Sequence, residues 1–394
     1  GLEKRPKLRF PGFDEPYKQC RIGDIYAERS QRGASDMELL SVTMNDGVMP
    51  RSEIEGKDNS SEDKSNYKVV LTGDMVYNSM RMWQGANGIS PCDGIVSPAY
   101  TVLMPKIPIS NGYFAAFFKS PNLINEFRKN SQGMTSDTWN LKYPQIETIK
   151  VCIPALSEQN RVADMLRTLE RRIAKQAQLV DNLKKYKRGV MQRIFRQLPS
   201  QNGTEWTCVR LGDIFKKVSR RNTDGVIKNV ITNSAEYGLI PQRDFFDKDI
   251  AVDGNTANYY VIENGDFVYN PRKSNSAPYG PFNRYTLSEQ GIISPLYTCL
   301  VLQADISPSY LAWYFKSDAW YRYIYDNGSQ GVRHDRVSMT DDLLMGIPVM
   351  YPSHVKQLLY ADILDMVEAR LQATQKTLDL LSKTRDGYMR QLFI

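Results

Sequence analysis

Two residue types with versatile chemistry are scarce in this 394-residue chain, which has two histidines and five cysteines. The cysteines lie far apart and form no Cys-x-x-Cys pair, which argues against a disulfide framework or a structural zinc site and indicates a reducing, cytoplasmic compartment. No apolar run approaches the ~20 residues needed to cross a bilayer, and no apolar stretch follows the basic N-terminus. We therefore expect neither a membrane span nor export.

Motifs of catalysis are missing as well. The sequence has no Gly-x-x-x-x-Gly-Lys-Ser/Thr loop for nucleotide phosphates. It has no Pro-Pro pair, which the Asn/Asp-Pro-Pro-aromatic motif of amino-methyltransferases requires. Two histidines are too few, and too badly placed, for a Ser/His/Asp or metal centre. We predict a non-catalytic chain without a cofactor or metal of its own.

The most informative feature of the chain is an internal repeat, because seven short blocks recur in the same order about 190 to 198 residues apart. The pairs are Arg21–Ile25 with Arg210–Ile214, Gly73–Asn78 with Gly265–Asn270, Gly94–Thr101 with Gly291–Thr298, Phe118–Ser120 with Phe315–Ser317, Ser131–Gly133 with Ser329–Gly331, Ala163–Leu166 with Ala361–Leu364, and Gly189–Phe195 with Gly387–Phe393. Each repeat opens with short β-rich runs between Gly, Pro, Asn and Ser clusters. Each therefore predicts a compact mixed α/β module.

Each repeat ends in a long predicted helix. Its apolar residues alternate in spacings of four and three, as in a coiled-coil seam, and the second seam follows the first at an offset of 198 residues. About 40 residues span ~60 Å, and such a helix cannot bury its apolar stripe alone, so we expect the two helices to pair antiparallel. The seam includes Leu166, Leu169, Ile173, Val180, Leu183, Leu364, Val367, Leu371, Leu378 and Leu381.

These patterns predict an α+β protein in which two similar mixed α/β recognition domains are separated by an antiparallel coiled coil, with a pseudo-two-fold internal repeat. The predicted bounds are 1–155 for the first domain, 156–198 for the first helix, 199–351 for the second domain and 352–394 for the second helix. A net charge of +7 suits an anionic partner, and residues 157–198 alone carry eleven Lys and Arg against four acids.

Two similar domains held apart by a rigid spacer can bind two DNA segments that lie one or more helical turns apart, at ~34 Å a turn. Because the modules differ in sequence between the shared blocks, we expect a bipartite and asymmetric target. The helices would then set the distance between its halves.

Over essentially its whole length the chain resembles the specificity subunit of Type I restriction-modification enzymes. The likeness rests on the opening Pro6-Lys-Leu-Arg-Phe-Pro-Gly12, the duplicated Gly-Asp-Phe/Met-Val-Tyr-Asn and Gly-Ile-Ile/Val-Ser-Pro blocks, the Ile-Pro steps at Ile153 and Ile347, and the closing Gln391-Leu-Phe-Ile394. The family alternates a target recognition domain with a helical region, twice. The resemblance implies that this chain has the same organisation.

The resemblance also implies partners. Two methyltransferase (modification) subunits would dock on the helices, and restriction and motor subunits would join that core, so S-adenosylmethionine, ATP and Mg²⁺ would belong to the partners. Two alternatives stay open. One is a specificity subunit of a solitary modification or other phage-defence complex, and the other is a scaffold that binds no DNA.

Contacts to double-stranded DNA need Lys and Arg for phosphates, and Arg, Lys, Asn or Gln on loops for bases. Three segments of each module meet this requirement. After the Arg-Ile/Leu-Gly-Asp blocks we select Arg29, Gln31, Arg32, Arg220, Arg221 and Asn222. After the Val-Tyr-Asn blocks we select Asn78, Arg81, Gln84, Arg272, Lys273 and Asn275. After the Ser-Gln-Gly turns we select Thr135, Gln330, Arg333, His334 and Arg336. The basic face of the first long helix could contact DNA, dock a partner or be solvated.

Overall fold

The computed structural model describes residues 5–32, 36–44, 46–56, 58, 60–135, 138–201, 205–244, 256–327 and 335–394. The chain divides into two compact units. Unit 1 comprises Gly1–Gln178 and Gln375–Ile394, and unit 2 comprises Leu179–Thr374. Each unit therefore contains one globular module and a part of both long helices.

The strands of unit 1 are β1 (Lys18–Arg21), β2 (Tyr26–Glu28), β3 (Leu40–Thr43), β4 (Gly47–Pro50), β5 (Lys68–Val70), β6 (Met75–Asn78), β7 (Asn87–Ile89), β8 (Gly94–Val96), β9 (Tyr100–Pro105) and β10 (Lys150–Ile153). They form a four-stranded antiparallel sheet in the order β2-β9-β6-β7 and the two-stranded ladders β1-β10, β3-β4 and β5-β8. The short helices of unit 1 are α1 (Ile22–Ile25), α2 (Asn111–Phe117), α3 (Pro121–Asn130) and α4 (Tyr143–Ile146), and 3₁₀ turns lie at Arg51–Glu53 and Met82–Gln84.

After the first long helix, α5 (Leu156–Gln192), the chain continues through a π-helical turn at Arg193–Gln197 and α6 (Leu198–Gln201). The strands of unit 2 are β11 (Thr207–Arg210), β12 (Phe215–Val218), β13 (Ile231–Ser234), β14 (Gly238–Pro241), β15 (Tyr260–Ile262), β16 (Phe267–Tyr269), β17 (Phe282–Arg284), β18 (Gly291–Ile293), β19 (Thr298–Leu302) and β20 (Pro348–Tyr351). They repeat the arrangement of unit 1, with a sheet in the order β12-β19-β16-β17 and the ladders β11-β20, β13-β14 and β15-β18. The short helices of unit 2 are α7 (Leu211–Ile214), α8 (Pro308–Lys316), α9 (Tyr321–Asn327) and α10 (Asp341–Met345), a 3₁₀ turn lies at Gln242–Asp244, and the second long helix is α11 (His354–Gln391).

The duplicated Arg-Ile/Leu-Gly-Asp block forms the same structure in both units, a one-turn helix between two strands. The Asp24 carboxylate accepts a hydrogen bond from the Arg21 N–H at 2.7 Å, and Asp213 accepts one from the Arg210 N–H at 2.8 Å. An acidic side chain three residues into a turn satisfies a backbone donor that has no partner within the helix. The block therefore forms the same capped turn in both units.

Each unit buries an aromatic core between its sheet and its short helices. In unit 1, Tyr26, Phe114, Phe117 and Phe118 pack together and are fully buried. A second, smaller core is formed largely by valines in unit 1, and by Ile231, Val268 and neighbouring residues in unit 2. The two cores hold the sheet rigidly, so that the loops at its edges can present polar side chains.

The far end of each long helix packs into the core of the unit that it reaches. In unit 1, Phe393 after α11 stacks on Phe117 with ring centroids 5.5 Å apart. In unit 2, Phe195 after α5 lies 5.8 Å from Tyr314 between ring centroids. The motif that ends each long helix, with Phe195 and Phe393 both buried, thus anchors the end of α5 in the second module and the end of α11 in the first.

The near end of each long helix is anchored by a buried glutamine in its first turn. The Gln159 carboxamide accepts a hydrogen bond from the Ser110 N–H at 3.0 Å and donates one to the Pro154 carbonyl at 2.9 Å. Gln357 makes the equivalent bonds with Ser307 and Pro352. Because both polar ends of these buried side chains are satisfied, the start of each helix is fixed to its own module.

Within each unit the parts of the two helices run antiparallel. In unit 1 the start of α5, at Met165 and Leu169, lines one groove with the end of α11, at Leu381 and Tyr388. In unit 2 the later part of α5, around Val190, meets the earlier part of α11, around Tyr360. The predicted α+β fold with an internal repeat and an antiparallel helix pair is confirmed.

The apolar seam residues of α5 and α11 lie on the less exposed side of each helix. All the seam residues selected from the sequence are buried or half-buried: Leu166, Leu169, Ile173, Val180, Leu183, Leu364, Val367, Leu371, Leu378 and Leu381. The seam also contains polar residues, among them Lys187 and Thr374. Lys187 bonds to Glu368 with an Nζ to Oε2 distance of 2.6 Å, and the Thr374 hydroxyl donates to the Arg370 carbonyl. The alternating spacing of apolar residues is therefore matched by the burial along each helix.

Candidate nucleic-acid interface

Arg29 and Arg220, the first residues selected from the sequence, form ion pairs with aspartates inside their own units. Arg29 bonds to both carboxylate oxygens of Asp74, at 2.6 Å from Nε and 3.1 Å from Nη2. Arg220 instead divides its bonds between two acids, with Nη2 bonded to one carboxylate oxygen of Asp266 and Nη1 to one of Glu263. Both aspartates belong to the duplicated Gly-Asp-Met/Phe-Val-Tyr-Asn block, so the block supplies the partner of each arginine.

The two aspartates are buried, so each carboxylate depends on hydrogen-bond donors and on its arginine in place of water. The Asp74 side chain is 3 % exposed and also accepts the Leu71 N–H at 2.9 Å. Burial raises the pKa of Asp266, against the opposing effects of the Glu263 N–H and of Arg220. A buried carboxylate needs such partners, so the structure gives both arginines an internal role beside the predicted contact with DNA.

The rest of the first segment is mostly exposed. Gln31, Arg32 and Arg221 are exposed, and Arg221 donates to the Asn258 carboxamide at 3.0 Å. Asn222 is different because it is 1 % exposed and closes a turn through two hydrogen bonds to the backbone of Ile227. This burial favours a structural role for Asn222 over the predicted DNA contact.

The second segment has the same turn in both units. The Asn78 carboxamide oxygen accepts a hydrogen bond from the Met80 N–H, and that of Asn270 accepts one from the Arg272 N–H, each at 3.0 Å. Such a turn directs the following residues away from the strand. Arg81 and Lys273, one residue farther along, are half-buried, whereas Gln84 and Asn275 are exposed.

The third segment lies beside the second. In unit 2 the Val337 N–H donates to the Pro271 carbonyl, and the Lys273 N–H to the Asp335 carbonyl, both at 2.9 Å. In unit 1 the Leu141 N–H donates to the Ser79 carbonyl at the same distance. Two segments that are about 60 residues apart in sequence thus form one surface in each unit. Thr135 is exposed, and Gln330, Arg333 and His334 lie outside the described residues.

In unit 2 this pairing places two arginines directly opposite each other, because Arg272 and Arg336 face one another across an antiparallel β-bridge. Tyr297, which packs against the smaller core of unit 2, interacts electrostatically with both arginines. Burial raises the pKa of the Tyr297 hydroxyl, and both arginines oppose the shift. The result is a concentrated positive surface of Arg272, Lys273 and Arg336, which we call the arginine surface.

The corresponding surface of unit 1 carries aromatic rings instead. Trp83 and Trp139 meet edge to face with ring centroids 5.2 Å apart, and the Arg128 guanidinium lies 5.5 Å from the Trp139 ring centre. The Trp83 indole N–H donates to the Met80 carbonyl, which holds the ring against its own loop. Met134, which follows the Ser-Gln-Gly turn in the sequence, is fully exposed.

Four residues of these surfaces were not selected from the sequence. Asp74 and Asp266 lie in a duplicated block, and the duplication indicates a structural role for them. It does not indicate that their partners are Arg29 and Arg220. Trp139 and Tyr297 approach the predicted segments only through the folding of the chain. The equivalent positions of Tyr100 and Tyr297 in the repeat are a signal that could have identified Tyr297.

The outer side of the long helices is charged on α5 and partly apolar on α11. Along α5 the exposed residues include Arg167, Arg171, Arg172, Lys175, Lys184, Lys185 and Arg188. On α11, Val355, Leu359 and Met366 are more than half exposed. In the described part of the chain no helix is long and apolar enough to span a bilayer, and no cluster of His, Cys, Asp and Glu is arranged to hold a metal ion.

Comparison with known proteins gives no matching family model. Several solved structures nevertheless share the fold over its full length. The S subunit of a Type I restriction-modification system from M. genitalium matches with a TM-score of 0.57 and 14 % identity, covering 99 % of both chains. The HsdS subunit from Thermoanaerobacter tengcongensis matches with a TM-score of 0.52 and 15 % identity, covering 100 % of this chain and 99 % of that one.

A third structure, described as showing the assembly and conformational transition of the type I R-M system, matches with a TM-score of 0.56 and 16 % identity, covering 98 % of this chain and 99 % of that one. At such identities the likeness establishes the fold. The resemblance noted in the sequence is confirmed at that level.

Proposed function

We propose that this chain is the DNA-recognition subunit of a Type I restriction-modification enzyme. The observation that carries the proposal is a fold shared from end to end with S subunits of such systems, in a chain whose own repeat divides it into two similar modules. Partial likeness would support only a common module. Here the order of modules and helices matches as well.

In this proposal each module reads one half of a bipartite DNA target. The modules share a frame, seen in the identical Asn turns at Asn78 and Asn270, but differ in the side chains that the frame presents. Different surfaces on a common frame are expected to read different sequences, so the target is asymmetric. The proposed recognition domains are residues 1–155 and 199–351, with the helices 156–198 and 352–394 as the spacer.

We further propose that the outer sides of α5 and α11 dock two methyltransferase subunits. The support is the exposed apolar side chains of α11 and the exposed cations of α5, since both kinds of surface are common at protein interfaces. S-adenosylmethionine, ATP and Mg²⁺ then belong to the modification and motor subunits, and the present chain is non-catalytic. Its place is the cytoplasm, with the DNA that it reads.

The test is to express the chain with methyltransferase subunits encoded beside it and to sequence the methylated bases of the host genome. We expect one split motif, absent when this chain is omitted. In parallel, the purified complex should shift a duplex that contains the motif, with an affinity that falls steeply as salt is raised. A complex that forms but neither methylates a split motif nor binds duplex DNA would refute the proposal and favour a protein scaffold.

A further inference from the structure

We propose that Arg272 and Arg336 read guanine in the half-site of unit 2. The inference rests on the proposed function and adds to it the identity of a base. Its starting point is the β-bridge that places these two residues directly opposite each other.

Like charges at opposite positions of a strand pair repel each other, so the arrangement is unfavourable unless an electron-rich group lies between them. Arg272 is exposed, and the only ion pair of Arg336 in the described residues is a 3.8 Å contact with the adjacent Asp335. Arg29 and Arg220, by contrast, are held by buried aspartates. The guanidinium groups of Arg272 and Arg336 are therefore available to a ligand.

Comparison of the two units separates base contacts from phosphate contacts. The hydrogen bonds to Asn78 and Asn270 align Met80 with Arg272, and hence Arg81 with Lys273. Both units thus carry a cation at this aligned position, Arg81 in unit 1 and Lys273 in unit 2. A phosphate contact common to both half-sites requires such a shared cation.

The positions of the two arginines are not shared. The bonds of Leu141 to Ser79 and of Val337 to Pro271 align Asn140 with Arg336. Unit 1 therefore has Met80 and Asn140 where unit 2 has two arginines. A feature present in one module alone is expected for reading sequence, and arginine donates two parallel hydrogen bonds to O6 and N7 of guanine.

The experiment uses the complex with its methyltransferase subunits and compares the methylated motif of the wild type with those of R272M and R336N, which introduce the residues of unit 1. We expect at least one variant to relax a single G·C pair in one half-site and to leave the other half-site unchanged. K273A should lower methylation at all sites without changing the motif. R322M, which removes an 88 % exposed arginine of the same unit, is the matched control and should leave the motif unchanged.

Binding to chemically modified duplexes then tests whether the arginines contact N7 of guanine. Replacing the guanine in question by 7-deazaguanine removes N7 and should weaken wild-type binding on the order of tenfold, while the variant that lost discrimination should be indifferent. R272K and R336K keep the positive charge, so overall affinity should be retained. The preference for guanine should weaken, because an ammonium lacks the planar fork that donates two parallel hydrogen bonds. Thermal unfolding of each variant shows whether unit 2 remains folded.

Two results would overturn the inference. One is a wild-type motif without a G·C pair in the half-site that depends on unit 2, and the other is a uniform loss of methylation in both arginine variants with an unchanged motif, which would assign them to phosphates. Both leave the proposed function standing. Absence of any DNA binding by the wild-type complex would instead remove both proposals.

Discussion

Replacing Arg29 by alanine should destabilise unit 1, and the structure indicates by how much. The change removes both hydrogen bonds to a carboxylate that is 3 % exposed, and leaves Asp74 with the Leu71 N–H as its remaining described partner. Removing one partner of a buried ion pair costs roughly 3–5 kcal/mol. Because the Arg29 side chain is 18 % exposed and water can partly replace it, we expect a loss of about 3 kcal/mol in the free energy of unfolding.

A loss of this size should lower the melting temperature by on the order of 10 °C for a unit of this length. Calorimetry measures the shift, and hydrogen exchange locates it, with faster exchange expected in unit 1 only. R220A is the matched comparison. Its side chain is 39 % exposed, so we expect a smaller loss of about 1 kcal/mol, located in unit 2.

The same measurement separates an internal role of Arg29 from the DNA contact predicted from the sequence. In the double variant R29A/D74N the buried charge is gone, and part of the lost stability should return. If R29A instead leaves the melting temperature unchanged while DNA affinity and its salt dependence fall, Arg29 is a phosphate contact and the argument from burial is wrong.

The remaining predictions concern the long helices. F393A removes a buried ring and should cost about 3–5 kcal/mol, with faster hydrogen exchange in unit 1 and not in unit 2; the reverse would contradict the anchoring role. K187A should lower the free energy of unfolding in urea by about 1.5–3 kcal/mol, because it leaves Glu368 without its partner. The double variant K187M/E368L should recover most of this loss, and a double variant as unstable as K187A would argue against the pair. Burial is the largest single influence on the Glu368 carboxyl and acts to raise its pKa, but the hydrogen bond and charge of Lys187, with smaller contributions from Gln372 and Lys316, together hold the pKa below its ordinary 4.5. The pair therefore stabilises the fold above pH 4.5, and this stability is lost as pH falls through the folded-state pKa; K187A should abolish this acid-side loss. Removing one heptad, ~10 Å of helix, from both α5 and α11 should shorten the spacer of the DNA target by about three base pairs, and an unchanged spacer would refute the role of the helices in setting it.

Local patterns in the sequence were sufficient for the main architecture. The short strands and the heptad seam depend on spacings within a few turns of chain, and the repeat is recognised by comparing the two halves of the sequence. The described residues include the strands, the seam and six of the seven block pairs of the repeat. The antiparallel pairing of the helices could be predicted because a single apolar stripe needs a partner and the chain offers one.

The identity of the contacts made by the candidate site could not be predicted in the same way. Arg29 and Arg272 both follow a repeat block and both carry the charge that DNA requires. Arg29 contacts the buried Asp74, which lies 45 residues farther along the chain. Arg272 instead lies opposite Arg336, 64 residues farther along, across a β-bridge. The charge of a side chain is a property of the sequence, but its partner depends on long-range packing, and the tertiary structure alone decided which arginines are paired internally and which face outward.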